Sequence, residues 1–221
     1  MDGLRSVEAQ TDVVAQAALA FGRVLDELHR SFQRIGDDPA VQPALAWLAR
    51  GDHLLQRLQA YACQAELSPV KVDPGSLLRS LAGTLHYTLD SRIAVSCDVS
   101  DGCPPCHADL QALTDALVHL VANARDAMPD GGSLALVAEP SRLADGSPAV
   151  RLAVSDSGIG MTEATIKAAV QPFFSSHSTD PLRGLGLPAA EGFARQSGGA
   201  LELRSVVGRG TTASLVLPRH R

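Results

Sequence analysis

Apolar residues recur near the N-terminus in alternating steps of four and three: Val14, Ala18, Phe21, Leu25, Leu28, Phe32 and Ile35. A mean step of about 3.5 residues marks helices packed side by side along a seam, and it predicts one helix over residues 7–36. Gly36-Asp37-Asp38-Pro39 breaks it, because glycine weakens a helix and proline disfavours helix at the residue before it. A second helical pattern over residues 40–66 carries Val41, Ala44, Leu48, Leu55, Leu58 and Ala62 on one side. Two helices joined by a short turn form an antiparallel hairpin. So thin a hairpin has little core of its own, and pairing two copies into a four-helix bundle would bury both stripes.

The pattern changes near Leu67-Ser68-Pro69, which sets expected domains at 1–68 and 69–221. Pro74 and Gly75 introduce a helix over about 76–89, and residues 92–99 alternate as a half-buried strand does. A long apolar-faced helix is predicted over 107–128, then strands over 133–139, 150–155, 201–206 and 211–217, with a helix over 187–196. This alternation predicts an α/β sandwich, one mixed sheet with helices on one face. The expected class for the whole chain is α+β.

Composition narrows the function. A net charge of −5 and an aromatic content of 4% argue against a nucleic-acid partner. No apolar run reaches the roughly 18–20 residues of a membrane span. The opening MDGLRSVEAQTD is polar and acidic, unlike a signal peptide, so the expected location is cytoplasmic. Cys103-Pro-Pro-Cys106-His107 matches CxxC and CxxCH spacings, but a structural zinc needs about four ligands and no second CxxC exists. A Pro-bent loop between strand and helix is the expectation there, with a redox or metal role as the alternative.

Four short motifs carry candidate chemistry. The long helix holds His119, Asn123 and Asp126 at spacings of four and three, which puts three polar groups on one face. Val154-Ser155-Asp156-Ser157-Gly158-Ile159-Gly160-Met161 reads as a strand ending in a carboxylate and a glycine turn. Such a carboxylate can accept a hydrogen bond from an exocyclic amine, and glycines let a ligand approach the backbone. Pro172-Phe173-Phe174-Ser175-Ser176 precedes an aperiodic stretch and then Arg183-Gly184-Leu185-Gly186-Leu187. The second glycine pair opens a helix whose free N–H groups suit phosphate, and the stretch between would serve as a lid. Gly208-Arg209-Gly210-Thr211 is a tight turn between the last two strands.

In this order and spacing the motifs resemble the Bergerat-fold ATP-binding domain of bacterial two-component sensor histidine kinases, over about residues 74–218. The segment LQRLQAYACQAELSPVKVDPGSLL resembles the end of the dimerisation hairpin and linker of the same enzymes. The resemblance implies ATP and Mg2+ as cofactors, Asn123 as the magnesium ligand with Asp126 beside it, and Asp156 on the adenine amine. Gly158, Gly160, Gly184, Gly186 and Leu187 would border the nucleotide, with Phe174, Arg183 and Thr211 as further binding residues. It also implies a homodimer through the hairpin and a response regulator receiver domain as phosphoryl acceptor; no sensor domain is read in the sequence, so the expectation is either a fragment or a sensor partner in trans.

The chain departs from that family at several places. His119 stands where these kinases usually carry Asn, and it either positions the attacking group, acts as a base, or accepts the same hydrogen bonds as Asn. His177 stands where the lid often has Lys, and Arg183 is a candidate replacement for that charge. The family's acceptor-histidine motif fits Asp26-Glu27-Leu28-His29-Arg30-Ser31-Phe32 with Asp26 in the reactive slot; a second alignment puts Leu25 there. His29 lies three residues after Asp26. The expected function is therefore Mg-ATP binding and two-component phosphoryl transfer with His29 as acceptor. The alternative is an ATP-binding pseudokinase, scaffold or phosphatase-type module without autophosphorylation.

Overall fold

A computed structural model of the chain describes residues 20–25, 27–28, 30–32, 44, 47–48, 51–52, 55, 67–171, 174, 184 and 186–220. The chain separates into two compact units, Met1–Ala65 and Glu66–Arg221. In the first, every described residue between 20 and 55 is helical. Leu25 and Leu48 are buried there, while Phe21, Val24, Leu28 and Trp47 are exposed. Among the described residues of this unit, two glycines lie under leucines: a methyl on Gly22 would stand 3.1 Å from Leu55 Cδ2, and one on Gly51 2.9 Å from Leu25 Cδ2. Asp26 and His29 lie outside the described residues, as does the turn expected at 36–39.

The second unit begins with a short strand β1 (Val70–Val72), followed by helix α1 (Pro74–Thr88). Asp73 caps α1 by accepting from the N–H groups of Gly75 (2.9 Å) and Ser76 (3.3 Å), and Pro74 occupies the first turn, where no N–H is needed. Its buried residues Leu78, Leu81 and Leu85 follow a helical period. Strand β2 (Ile93–Val99) follows, then β3 (Cys106–Ala108) and helix α2 (Leu110–Asp126). Asp109 caps α2 through Ala112 N–H at 2.9 Å and also accepts from Ser68 N–H at 2.9 Å, which ties the incoming chain to the helix start. Strands β4 (Gly132–Arg142) and β5 (Pro148–Asp156) form a hairpin; the short helix α3 (Glu163–Ala169), α4 (Gly186–Gln196), β6 (Ala200–Val206) and β7 (Gly210–Pro218) complete the unit.

The main sheet is mixed, in the order β2-β4-β5-β7-β6, with β2 parallel to β4 and the other neighbours antiparallel. Its inward residues are Leu134, Leu136 and Ala138 on β4, Val150, Leu152 and Val154 on β5, and Ala213, Leu215 and Leu217 on β7. They form one core with Leu78 of α1, Leu113, Leu117 and Leu120 of α2, and Phe193 of α4. Burying one such side chain contributes about 1.5–3 kcal/mol, so this single core positions everything at the strand ends. On the other face Arg151 bridges Glu202 (2.7 Å) and Glu139 (3.3 Å).

The expected long helix begins later than its apolar pattern suggested. Residues 106–108 pair instead with β1 as a two-stranded ribbon, with Val70 opposite Ala108 and Val72 opposite Cys106. Asp109 then starts the helix. Cys106 is fully buried in the core and β3 ends the CxxCH stretch, so only the residues before it form the Pro-containing loop.

Candidate functional site

Three backbone segments meet where β5 ends. Asp156 is its last residue, and the chain turns at once through Gly158 and Gly160. Gly158 lies against the carbonyl of Ala127 at the C-cap of α2, so close that any Cβ would collide with it. The neighbouring Ile159 N–H donates to that same carbonyl at 3.0 Å. Gly160 takes φ +65° against the Val206 carbonyl, a conformation and a clearance that suit glycine. From the other side Gly208 N–H donates to Ile159 O at 2.7 Å, which closes the β6–β7 turn onto the loop.

This packing fixes the Asp156 carboxylate. Its Oδ1 accepts from Gly158 N–H at 2.9 Å and from Thr211 N–H at 3.2 Å. Among the described residues nothing donates to Oδ2. Burial pushes the Asp156 carboxyl above its ordinary range, and the two N–H groups offset part of that rise. Ser205 of β6 holds the surrounding loop. Its Oγ accepts from Met161 N–H at 2.7 Å, donates to Gly210 O at 3.0 Å and lies 2.8 Å from Thr211 Oγ1. Sequence reasoning missed Ser205, because its role depends on contacts across three separate segments.

The second group of residues lies along α2. His119 is half-buried and Asn123 is exposed. Both stand against the start of α4: a Cβ on Gly186 would lie 3.4 Å from Asn123 Nδ2, 3.6 Å from its Oδ1 and 3.6 Å from His119 Cβ. A side chain at Gly186 would therefore fill the space over the carboxamide, which has no hydrogen-bond partner among the described residues. Asp126, next along the same helix, has its Oδ1 2.7 Å from Arg125 Nη2. Gly184 takes φ +84°, Leu187 is half-buried against the core, and Phe174 is exposed. Arg183 and His177 lie outside the described residues.

One helix end joins the two groups. Ala127, which touches the Asp156 turn, is hydrogen-bonded through its N–H to Asn123 O at 3.0 Å. Among the described residues, a carboxylate with one unused oxygen, a carboxamide without a partner and a glycine-opened helix N-terminus thus lie on connected elements. Away from it, Cys97, Cys103 and Cys106 are free thiols, and burial pushes Cys106 up to about 11. No group of three or more His, Cys, Asp or Glu side chains suited to a metal occurs among the described residues.

A mixed sheet covered by helices, with this cluster at its strand ends, is an α/β sandwich domain. Residues 108–221 match the family described as histidine kinase-, DNA gyrase B-, and HSP90-like ATPase. The chain belongs to that family, and the proteins it resembles include ones named as a sensor kinase and as sensor histidine kinases. It is 31% identical over 180 residues to Sensor kinase CckA of Brucella abortus (strain 2308), covering 77% of this chain and 19% of that protein. It is 29% identical over 148 residues to Sensor histidine kinase ZraS of Escherichia coli (strain K12), covering 66% and 30%. The chain thus spans less than a third of the length of these relatives. Among solved structures, full-length ShkA in complex with AMPPNP superposes with a TM-score of 0.65 at 23% identity, covering 94% of this chain and 46% of that one. Acinetobacter baumannii histidine kinase AdeS gives 0.62 at 16% identity, covering 90% and 97%. At these identities the structural likeness is one of fold.

Proposed function

We propose that the chain is a protein histidine kinase of a two-component system, which binds Mg-ATP in its second unit and phosphorylates its N-terminal helical segment. When bound, Mg-ATP supplies the γ-phosphoryl group and a divalent charge that neutralises the phosphate oxygens. The chain's own groups fit it. Asp156 offers Oδ2 to the adenine amine while its Oδ1 stays anchored to Gly158 and Thr211. Asn123 offers a neutral oxygen of the kind magnesium accepts beside phosphate and water. The first N–H groups of α4, at Gly186 and Leu187, donate towards phosphate. Gly158, Gly160 and Gly184 keep the surrounding backbone close, Phe174 borders the entrance, and Arg183 supplies a cation. His119, on the face shared with Asn123, orients the phosphoryl acceptor or takes its proton.

His29 is the proposed acceptor, one turn from the slot that Asp26 or Leu25 occupies; the chain would act as a homodimer through residues 1–68, folded as an antiparallel hairpin. The phosphoryl group would pass to a receiver-domain aspartate of a response regulator, in the cytoplasm, under a sensor partner acting in trans. No helix among the described residues is long and apolar enough to cross a membrane.

The observation that carries the nucleotide assignment is the meeting of Asn123, His119 and Gly186 in one clearance. Calorimetric titration of ATP with and without Mg2+ tests it. Magnesium is expected to strengthen ATP binding to the wild type and to lose that effect in Asn123→Ala. An unchanged magnesium effect in the variant would remove Asn123 from the site.

A further inference from the structure

We infer that His107 and His220 form a binding site for a single late first-row divalent ion of the nickel, copper and zinc class, separate from the proposed nucleotide site. His107 is the exposed middle residue of β3, and His220 follows β7. Their Nδ1 atoms are 3.3 Å apart. Two nitrogens bound to one ion at 2.0–2.1 Å with a tetrahedral angle stand about 3.3–3.4 Å apart. The ring centroids are 5.4 Å apart. That exceeds the nitrogen separation by nearly two ring radii, so both Nδ1 edges face the gap.

The two backbones are held independently of the rings. His107 lies opposite Lys71 in the β1–β3 ribbon. His220 N–H donates to Pro105 O at 2.8 Å, and Arg219 bridges to Cys106. Little side-chain ordering is therefore left for the ion to impose. Without it, one imidazole N–H can donate to the other ring, and binding displaces that proton.

The donor set selects the ion. Two imidazoles suit nickel, copper and zinc, whereas magnesium and calcium prefer oxygen. The charged neighbours Lys71 and Arg219 are cations, so nitrogen–metal bonding rather than general charge attraction must hold the ion. The nearby thiols are poorer donors: Cys106 is fully buried and Cys103 half-buried, and the thiolate is the form that binds metal. The histidine of Cys103-Pro-Pro-Cys106-His107, rather than its thiols, is thus the metal-binding part of that motif. Water completes the coordination shell. The bound ion ties the segment after β7 to the ribbon that opens the second unit.

Calorimetric titration of the untagged 221-residue chain with Ni2+, without nucleotide, tests the site independently of ATP binding. One ion per chain is expected in the wild type, with affinity lowered about tenfold or more in His107→Ala and in His220→Ala, and unchanged in Cys103→Ser. His107→Gln and His220→Gln, with thermal unfolding measured without metal, distinguish a lost ligand from a lost fold. Absence of saturable binding in the wild type overturns the proposal. So does wild-type affinity in either histidine-to-alanine variant, or an equal loss in Cys103→Ser.

Discussion

Replacing Asp156 with asparagine separates two consequences of one half-buried carboxylate. The amide oxygen of Asp156→Asn can keep both bonds made by Oδ1, from Gly158 N–H at 2.9 Å and Thr211 N–H at 3.2 Å. An NH2 donor then replaces Oδ2, and in the proposed site a donor would face the adenine amine. Losing a hydrogen bond to a charged group costs about 1.5–3 kcal/mol, so ATP affinity should fall about 10- to 150-fold. Stability should move the other way. Burial raises the Asp156 pKa in the folded state, so its contribution is full at low pH and lost as pH rises through the folded pKa. The uncharged variant escapes that loss, and its nucleotide-free stability near neutral pH should equal or exceed that of the wild type. Calorimetry with ATP and with inosine triphosphate, which carries a carbonyl in place of the amine, reads the effect. The wild type should prefer ATP, and the variant should narrow or reverse that preference. Unchanged ATP affinity together with an unchanged ATP-to-inosine-triphosphate ratio would refute the placement of the base.

Gly158→Ala should destabilise the second unit by about 1–3 kcal/mol, because its methyl meets the Ala127 carbonyl; urea unfolding checks this. Ser205→Ala should cost about 1–3 kcal/mol by leaving Met161 N–H without its acceptor, read by urea unfolding, and should weaken ATP binding in calorimetry. Asp90 is held down at about 2 by hydrogen bonds from Arg92. Its stabilising contribution should be present above the ordinary carboxylate range and lost as pH falls towards 2, so the stability gap between wild type and Asp90→Asn should close with acidification.

The main sheet was legible because its strands alternate or run apolar between turn residues. Residues 92–99, 133–139, 150–155, 201–206 and 211–217 all fall in observed strands, apart from the first residue, Arg92. The helix over 187–196 was legible from its apolar face, with Phe193 buried. The β1–β3 ribbon was not, since three-residue strands carry too few positions to show a period, and His107 and Ala108 were read into the start of the next helix. At the site, the glycines and Asp156 declared themselves as a strand-end turn. Thr211 was visible only as part of a turn, because its N–H reaches Asp156 from 55 residues away. Asp126 shared helical spacing with Asn123, yet its carboxylate pairs with adjacent Arg125, a choice that spacing alone does not decide.

Transfer of γ-labelled phosphate from ATP to the whole 221-residue chain, in the presence of Mg2+, tests phosphoryl transfer most directly. The wild type should acquire acid-labile, base-stable label, and both His29→Ala and Asn123→Ala should acquire none. A wild-type chain that binds ATP yet takes up no acid-labile label would contradict the kinase assignment, and label persisting in His29→Ala would contradict the acceptor.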